Sequence, residues 1–304
     1  MTGATGFLGR EIVRALASGG WRIRILARRD PITPAWRHIA IEVVPGDLAD
    51  ETALSDLCRG ADLVVHNAGV VKAPSRAAFD RVNVEGARKV AEAAHAAPHV
   101  ILVSSLTARE PGLSHYSASK RGGEIAMHAL LGDRLTVARP CAIYGPGDRE
   151  LLAVFQAADR LPVLPILNAT GRITMIHVED AARQVAALAS HSPSGLTVAL
   201  SDSHLEGYSW RDLMAHAAAA CGTAPRFVRI PRTLIQAIGV TNDFTALLGQ
   251  VPMLTSAKAR ELLHPNWAIL PIEQAIATTP PLYDLRRGFA HTVSWYRETG
   301  WMKQ

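Results

Sequence analysis

Cysteine is nearly absent from this 304-residue chain. Cys58, Cys141 and Cys221 stand far apart and offer neither a disulfide framework nor a pair at metal-ligand spacing, so no metal centre is expected. So few thiols suit a reducing, cytoplasmic compartment. No stretch approaches the roughly 18 unbroken apolar residues of a membrane-spanning helix. No basic segment followed by an apolar run opens the chain, so neither a membrane partner nor a secretion signal is expected. Aromatics make up only 6% and are not interleaved with basic residues, and the net charge is a modest +5, which argues against nucleic-acid binding. Lysine is scarce: Lys72, Lys89, Lys120, Lys258 and Lys303 stand among 32 basic residues, so a lysine at a meaningful spacing carries weight. Charged residues reach only 19% against 48% hydrophobic, which excludes a disordered chain.

The first 150 residues alternate between two periods. Arg10 to Ser18 has helical spacing and ends at Gly19-Gly20. Arg22 to Ala27, Ile41 to Val44, Ala61 to His66, Val100 to Ser104 and Leu135 to Arg139 read as strands, while Arg81 to Ala97 and Ser117 to Leu131 read as helices. Strands separated by helices predict a parallel sheet covered on both faces. Beyond residue 150 the pattern loosens. Leu161 to Leu167 carries two prolines and is no central strand. Ile176 to Leu188 returns to order, with a helix starting near Glu179-Asp180, Leu196 to Leu200 reads as a last strand, and further helices fall near 209–221 and 256–263.

Gly3, Gly6 and Gly9 fall at intervals of three in Thr2-Gly-Ala-Thr5-Gly-Phe7-Leu8-Gly9, directly before a helix. Such a turn lets backbone N–H groups approach a pyrophosphate at a helix N-terminus. Tyr116 and Lys120 are four apart, which on a helix places both on one face. A nearby ammonium favours the phenolate, so this phenol can exchange a proton with a substrate oxygen near neutral pH. Ala27 stands where an acidic residue would select NAD(H), and Arg28-Arg29 follow; two guanidiniums suit a 2′-phosphate, which predicts NADP(H) over NAD(H). His66 ends a strand and reads as structural.

The TGATGFLG opening, the Tyr-x-x-x-Lys pair, His66-Asn67-Ala68-Gly69, Asn83-Val84-Glu85-Gly86, Arg139-Pro140-Cys-Ala-Ile143-Tyr144-Gly-Pro-Gly-Asp148 and Ile176-His-Val-Glu-Asp180 occur in this order. Together they resemble the extended short-chain dehydrogenases/reductases of the NAD-dependent epimerase/dehydratase family. The C-terminal stretch Leu285 to Tyr296 is similar to that branch's last helix. The resemblance implies an α/β fold: a Rossmann-type doubly wound parallel sheet with a smaller, mostly C-terminal substrate-binding subdomain. Residues 1–150, rejoined by 174–201, would bind NAD(P), and 151–173 with 202–304 would bind substrate. It implies Ser105, Tyr116, Lys120 and Asn83 as catalytic, with Thr107 in reserve to Ser105. Cofactor contacts would come from Gly3, Thr5, Gly6, Phe7, Leu8, Gly9, Arg28, Arg29, Asp47, Leu48, Asn67, Ala68, Gly69, Tyr116, Lys120, Pro140 and Ile143. The expected reaction is hydride transfer between nicotinamide and a carbonyl or hydroxyl of a small molecule, and the expected partners are a carbonyl, hydroxyl or sugar substrate and a second copy in a homodimer. The alternatives are a nucleotide-sugar epimerase or dehydratase with tightly bound cofactor, and a non-catalytic NADP(H)-binding scaffold. Two departures stand out. Tyr116 follows Ser105 after a shorter loop than sugar epimerases usually carry, and only Met1 precedes the glycine turn, where the family has a strand. A native start a few residues upstream, with an apolar run, is the expectation for that second departure.

Overall fold

The computed structural model describes residues 1–29, 31, 36–193, 195–247, 255–274 and 279–303. Its strands are β1 (Ile23–Ala27), β2 (Ile41–Pro45), β3 (Leu63–His66), β4 (His99–Val103), β5 (Leu135–Pro140), β6 (Ala142–Tyr144), β7 (Val163–Ile166), β8 (Arg172–Ile173), β9 (Met175–His177), β10 (Thr197–Leu200), β11 (Tyr208–Ser209), β12 (Arg226–Arg229) and β13 (Asn266–Trp267). Its α-helices are α1 (Phe7–Ser18), α2 (Glu51–Cys58), α3 (Arg76–Asp80), α4 (Gly86–Ala93), α5 (His115–Leu131), α6 (Leu152–Arg160), α7 (Val178–Ala189), α8 (Trp210–Cys221), α9 (Arg232–Leu247), α10 (Ser256–Leu262) and α11 (Leu285–Glu298). No helix among the described residues is long and apolar enough to cross a membrane.

The chain forms two compact units. The first comprises Met1–Pro140, Val178–Leu200 and Leu270–Pro280. In it, β10, β5, β4 and β3 lie side by side and all parallel, and β1 pairs with β2, also parallel. Met1 and Thr2 stand between these two ladders. The Leu26 N–H donates to the Met1 carbonyl at 3.0 Å, and the Thr2 N–H donates to the Val65 carbonyl at 3.0 Å. Thr2 also bridges His66 in parallel. The central position of the sheet is therefore held by two residues.

Alternation along the strands sends side chains to two covered faces. Val64, Val100, Leu102, Leu135 and Val137 pack with Leu54, Ala87, Val90, Met127 and Leu131 of α2, α4 and α5. α1 lies along α7 and contacts β1, while α7 also contacts β4 and β5. This is the doubly wound arrangement the alternating pattern predicts. α7 starts at Val178, beside the helix start read at Glu179-Asp180, and Met175–His177 just before it is a strand that pairs with β6. One segment differs from its sequence reading. The helix read from Arg81 begins earlier, at Arg76, where Ser75 caps it by accepting from the Ala78 N–H, and it passes through a π turn at Arg81–Glu85.

The second unit comprises Cys141–His177, Ser201–Ile269 and Pro281–Gln304. The β6–β9 pairing places 141–150 and 174–177 in it. Its core is aromatic: Phe289 meets Tyr144 and Phe155 edge-on, each at 4.9 Å between centroids. The proline-bearing 161–167 segment supplies β7, which among the described residues pairs only with β12, as an edge strand does.

The glycine turn depends on close backbone packing. A Cβ on Gly9 would stand 2.0 Å from the Gly3 carbonyl oxygen, whereas one on Gly112 would meet nothing within 4 Å. Gly9→Ala is therefore expected to lower unfolding free energy by about 1–3 kcal/mol, and Gly112→Ala to stay within about 0.5 kcal/mol of the parent. Urea unfolding of the two variants checks this; equal effects would refute the packing account.

Candidate active site and cofactor cradle

Gly3 has a φ of +67°, and a Cβ there would lie 2.5 Å from the Ala68 nitrogen. Only a glycine lets the turn and the end of β3 come this close. The Asn67 side-chain amide donates to the Gly3 carbonyl at 3.1 Å, and the Ala68 N–H donates to the Thr2 hydroxyl at 3.2 Å. That hydroxyl also pairs with His66 Nδ1 at 2.7 Å, so His66 has a structural partner, as its strand-end position predicts. Gly6 stands at the N-cap of α1, and among the described residues no side chain caps this helix. By contrast Asp50, Ser114, Ser209 and Asp284 cap α2, α5, α8 and α11. An uncapped helix N-terminus behind a glycine turn fits an anionic pyrophosphate. Thr5 is exposed beside Gly6, Phe7 is half-buried and Leu8 is buried.

At the next strand ends, Arg28 and Arg29 are exposed directly after β1, and among the described residues neither has an ion-pair partner. Such an arrangement fits a phosphate dianion. The Asp47 carboxylate accepts from the Ala49 N–H at 2.8 Å, which shapes the turn after β2. Leu48 packs on Gly86 of α4. Pro140 ends β5 and pairs with Leu200, whereas Ile143 belongs to the second unit, where it pairs with Ile176. Tyr144 and Asp148 of the same motif also serve the second unit: the Tyr296 hydroxyl donates to the Asp148 carbonyl at 2.6 Å.

The Tyr116–Lys120 face is built by α5 and the π turn. Gly123 lets the two approach, since a Cβ there would lie 2.3 Å from the Asn83 carbonyl oxygen. The buried Asn83 amide accepts from the Val70 N–H at 2.9 Å, and donates to the Val70 carbonyl at 3.0 Å and to Ser119 Oγ at 2.9 Å. It thus ties the 67–70 segment to α5. A Cβ on Gly69 would meet Asn83 Oδ1 at 3.1 Å and Lys120 Nζ at 3.6 Å. Lys120 is buried and donates to the Val103 carbonyl at 2.9 Å, two residues before Ser105. Burial pushes the Lys120 pKa down to about 8, while the Glu124 carboxylate opposes that shift. Tyr116 is half-buried, its ring 6.2 Å from that of Phe79.

Ser105 caps a 3₁₀ turn, Leu106–Arg109. The Thr107 N–H and Thr107 hydroxyl both donate to Ser105 Oγ, at 3.3 and 3.0 Å. With its acceptor side engaged, the Ser105 hydroxyl is left to donate its own proton. Thr107 orients Ser105 in this arrangement.

Three charged residues escaped the sequence reading as site residues. The Arg139 guanidinium grips the Glu124 carboxylate at 2.8 and 2.7 Å, and Arg139 Nη1 lies 3.6 Å from Glu273. Glu124 extends the four-residue spacing of Tyr116 and Lys120, a signal in the sequence; nothing in the sequence marks Glu273.

The model of the NAD dependent epimerase/dehydratase family matches residues 1–199. The chain is 50% identical over 306 residues to the "Ceramide reductase" of Caulobacter vibrioides, covering 99% of this chain and 95% of that one. It is 32% identical over 172 residues to "Sterol demethylase protein B" of Methylococcus capsulatus, covering 49% of this chain and 52% of that one. Among solved structures, that of gox2253 superposes with a TM-score of 0.78 at 21% identity over 99% of this chain and 98% of that one. The double mutant of DesIV, a dTDP-glucose 4,6-dehydratase of Streptomyces venezuelae, with NAD and DAU bound, superposes with a TM-score of 0.72 at 20% identity over the same shares. These structures share the fold.

Burial first, then the charge of Lys120, holds the His66 pKa down at about 3, against about 6.5 in an unfolded chain. Between those values the unfolded state binds the extra proton, so stability present above about pH 6.5 is lost as pH falls. His177, buried in the second unit and beside His291, acts in the same direction. His66→Asn is expected to lose less stability than the parent between pH 7 and 4.5, as read by urea unfolding at both. An identical loss would show that His66 does not titrate on unfolding.

Proposed function

The chain belongs to the NAD-dependent epimerase/dehydratase family, and on that premise we propose that it is an NADPH-dependent carbonyl reductase acting on a ceramide-class lipid. It is an enzyme of the NAD(P)-dependent oxidoreductase type. The observation that carries the substrate class is the 50% identity to a ceramide reductase over nearly all of both chains. A ceramide's amide is not reduced by a nicotinamide hydride, so the reacting group is a ketone, the oxidised counterpart of a secondary hydroxyl on the long-chain base.

Gly3, Gly6 and Gly9 would hold the pyrophosphate at the start of α1, and Arg28 with Arg29 would hold the 2′-phosphate. When bound, the dihydronicotinamide supplies the hydride. Ser105 donates its hydroxyl proton in a hydrogen bond to the ketone oxygen. Tyr116 Oη gives that oxygen its proton as the carbonyl carbon is reduced, so hydride and proton together yield the alcohol. Lys120, protonated below about pH 8, steadies the phenolate that remains. Asn83 holds the backbone against which these groups are set.

The three free, buried cysteines support a reducing, cytoplasmic setting. Ile125 and Leu130 leave apolar side chains exposed on α5, which supports pairing with a second copy. The short interval between Ser105 and Tyr116 disfavours a nucleotide-sugar epimerase, and net consumption of NADPH absorbance with a ketone-bearing N-acyl long-chain base separates the two readings.

In that assay Tyr116→Phe is expected to lower turnover about 10²–10⁴-fold with NADPH affinity nearly unchanged by fluorescence titration; parental turnover would sink the assignment. Arg28→Ala is expected to weaken NADPH binding by the loss of one charge-assisted contact, about 1.5–3 kcal/mol, and NADH binding far less. Equal losses for both cofactors, or equal affinities in the parent, would remove the NADPH preference.

A further inference from the structure

The reacting groups sit on two separate pieces of chain: Ser105 on the 3₁₀ turn after β4, and Tyr116 with Lys120 on α5. Something must hold the two pieces at a set distance. Behind them lies a buried chain of charges. Glu124 is four residues beyond Lys120 and only 4% exposed. It accepts from the Ser104 hydroxyl at 2.6 Å, from Arg139 through two nitrogens, and from Arg121 at 3.0 Å. This fastens α5 to the residue just before Ser105 and to β5.

The other end of the Ser105 turn is Arg109. Its guanidinium donates to Glu273 Oε2 at 3.0 Å, and the same oxygen accepts from the Leu270 N–H at 3.1 Å. Glu273 is 4% exposed and lies in the 3₁₀ turn Pro271–Gln274, which packs beside β10. Its other oxygen, Oε1, lies 3.6 Å from Arg139 Nη1. The Ser105 turn is thus gripped at both ends, and the grips meet at Arg139.

A buried ion pair is a poor source of net stability, because desolvation of both partners offsets their attraction. What such a pair does well is fix one geometry, since a displaced partner leaves a charge buried without compensation. In this unit the geometry it fixes is that of the proposed reacting groups.

We infer that Glu273 is a positioning residue for carbonyl reduction: by anchoring Arg109 and facing Arg139, it sets the Ser105 turn against the Tyr116–Lys120 face of α5. The inference rests on the reading of Ser105, Tyr116 and Lys120 given above. It adds a residue from the far end of the chain that touches none of the reacting atoms.

The test uses Arg109→Met/Glu273→Leu, which removes the pair and leaves the buried Arg139 its Glu124 partner, and Glu273→Asp, which keeps the charge but shortens its reach. Three quantities are read: turnover per folded molecule, NADPH affinity by fluorescence, and amide exchange at Ala108 and Glu110, whose N–H groups close the Ser105 turn. The double variant is expected to lose turnover about 10-fold or more, as a misplaced reacting group does, and to keep NADPH affinity within about twofold. Its Ala108 and Glu110 amides should exchange faster, a readout that needs no substrate. Glu273→Asp should show the same changes in smaller measure, and it decides the matter alone if the double variant does not fold. Parental turnover together with parental exchange at 108 and 110 in the folded variants would overturn the inference and leave Glu273 a stabilising residue only. Failure of the site reading is separate: it shows as turnover retained by Tyr116→Phe, whatever the Glu273 variants do.

Discussion

The approach of the Gly3 turn to the end of β3 is the contact on which the first unit hangs. Met1 and Thr2 join the β1–β2 pair to the four-stranded ladder through hydrogen bonds on both sides. The same two residues deliver the chain into the turn, where a Cβ on Gly3 would collide with the Ala68 backbone. Thr2 then spends its hydroxyl on His66 and on the Ala68 N–H. Sheet continuity, the uncapped start of α1 and the path of residues 67–70 follow from one close packing of backbone on backbone. That packing explains why the turn requires glycine at Gly3 and Gly9 for the fold itself.

A second layer of constraint is polar and buried. Asn83 satisfies both backbone groups of Val70 and reaches Ser119 on α5. The Glu124 carboxylate accepts from a hydroxyl and two guanidiniums, one of them through two nitrogens. Unmade hydrogen bonds of this kind are costly away from water, so such groups tolerate few alternative arrangements. The apolar core of α2, α4 and α5 provides cohesion, and these polar ties specify where on the sheet α5 sits.

Electrostatics links the layers. Lys120 is desolvated and held near Glu124, which keeps a protonated ammonium within reach of neutral pH. Its charge in turn adds to the burial that keeps His66 neutral. One buried cation therefore faces the Tyr116 side of α5 and, on the other side, adds to the neutrality of the sheet's centre.

The amino-acid sequence by itself determined the elements and the motifs. Alternating periods marked the parallel strands and their helices, glycines at three-residue intervals marked the turn, and the four-residue spacing marked Tyr116 and Lys120. These signals are local, because strand and helix periods and turn chemistry act over a few residues. The 175–177 strand carried no mark in the sequence, because its pairing partner, β6, lies far back in the chain. Asn83 was legible only as part of a motif; its hold on Val70 and Ser119 required the π turn and the close approach at Gly123. Glu273 carried no mark at all. A glutamate in a proline-bearing turn looks like any solvated surface residue, and only folding brings it beneath Arg109 and Arg139, where burial makes its charge consequential. Tertiary structure decided these cases because burial and partnership, which set the worth of a polar group, arise between segments that are remote in sequence.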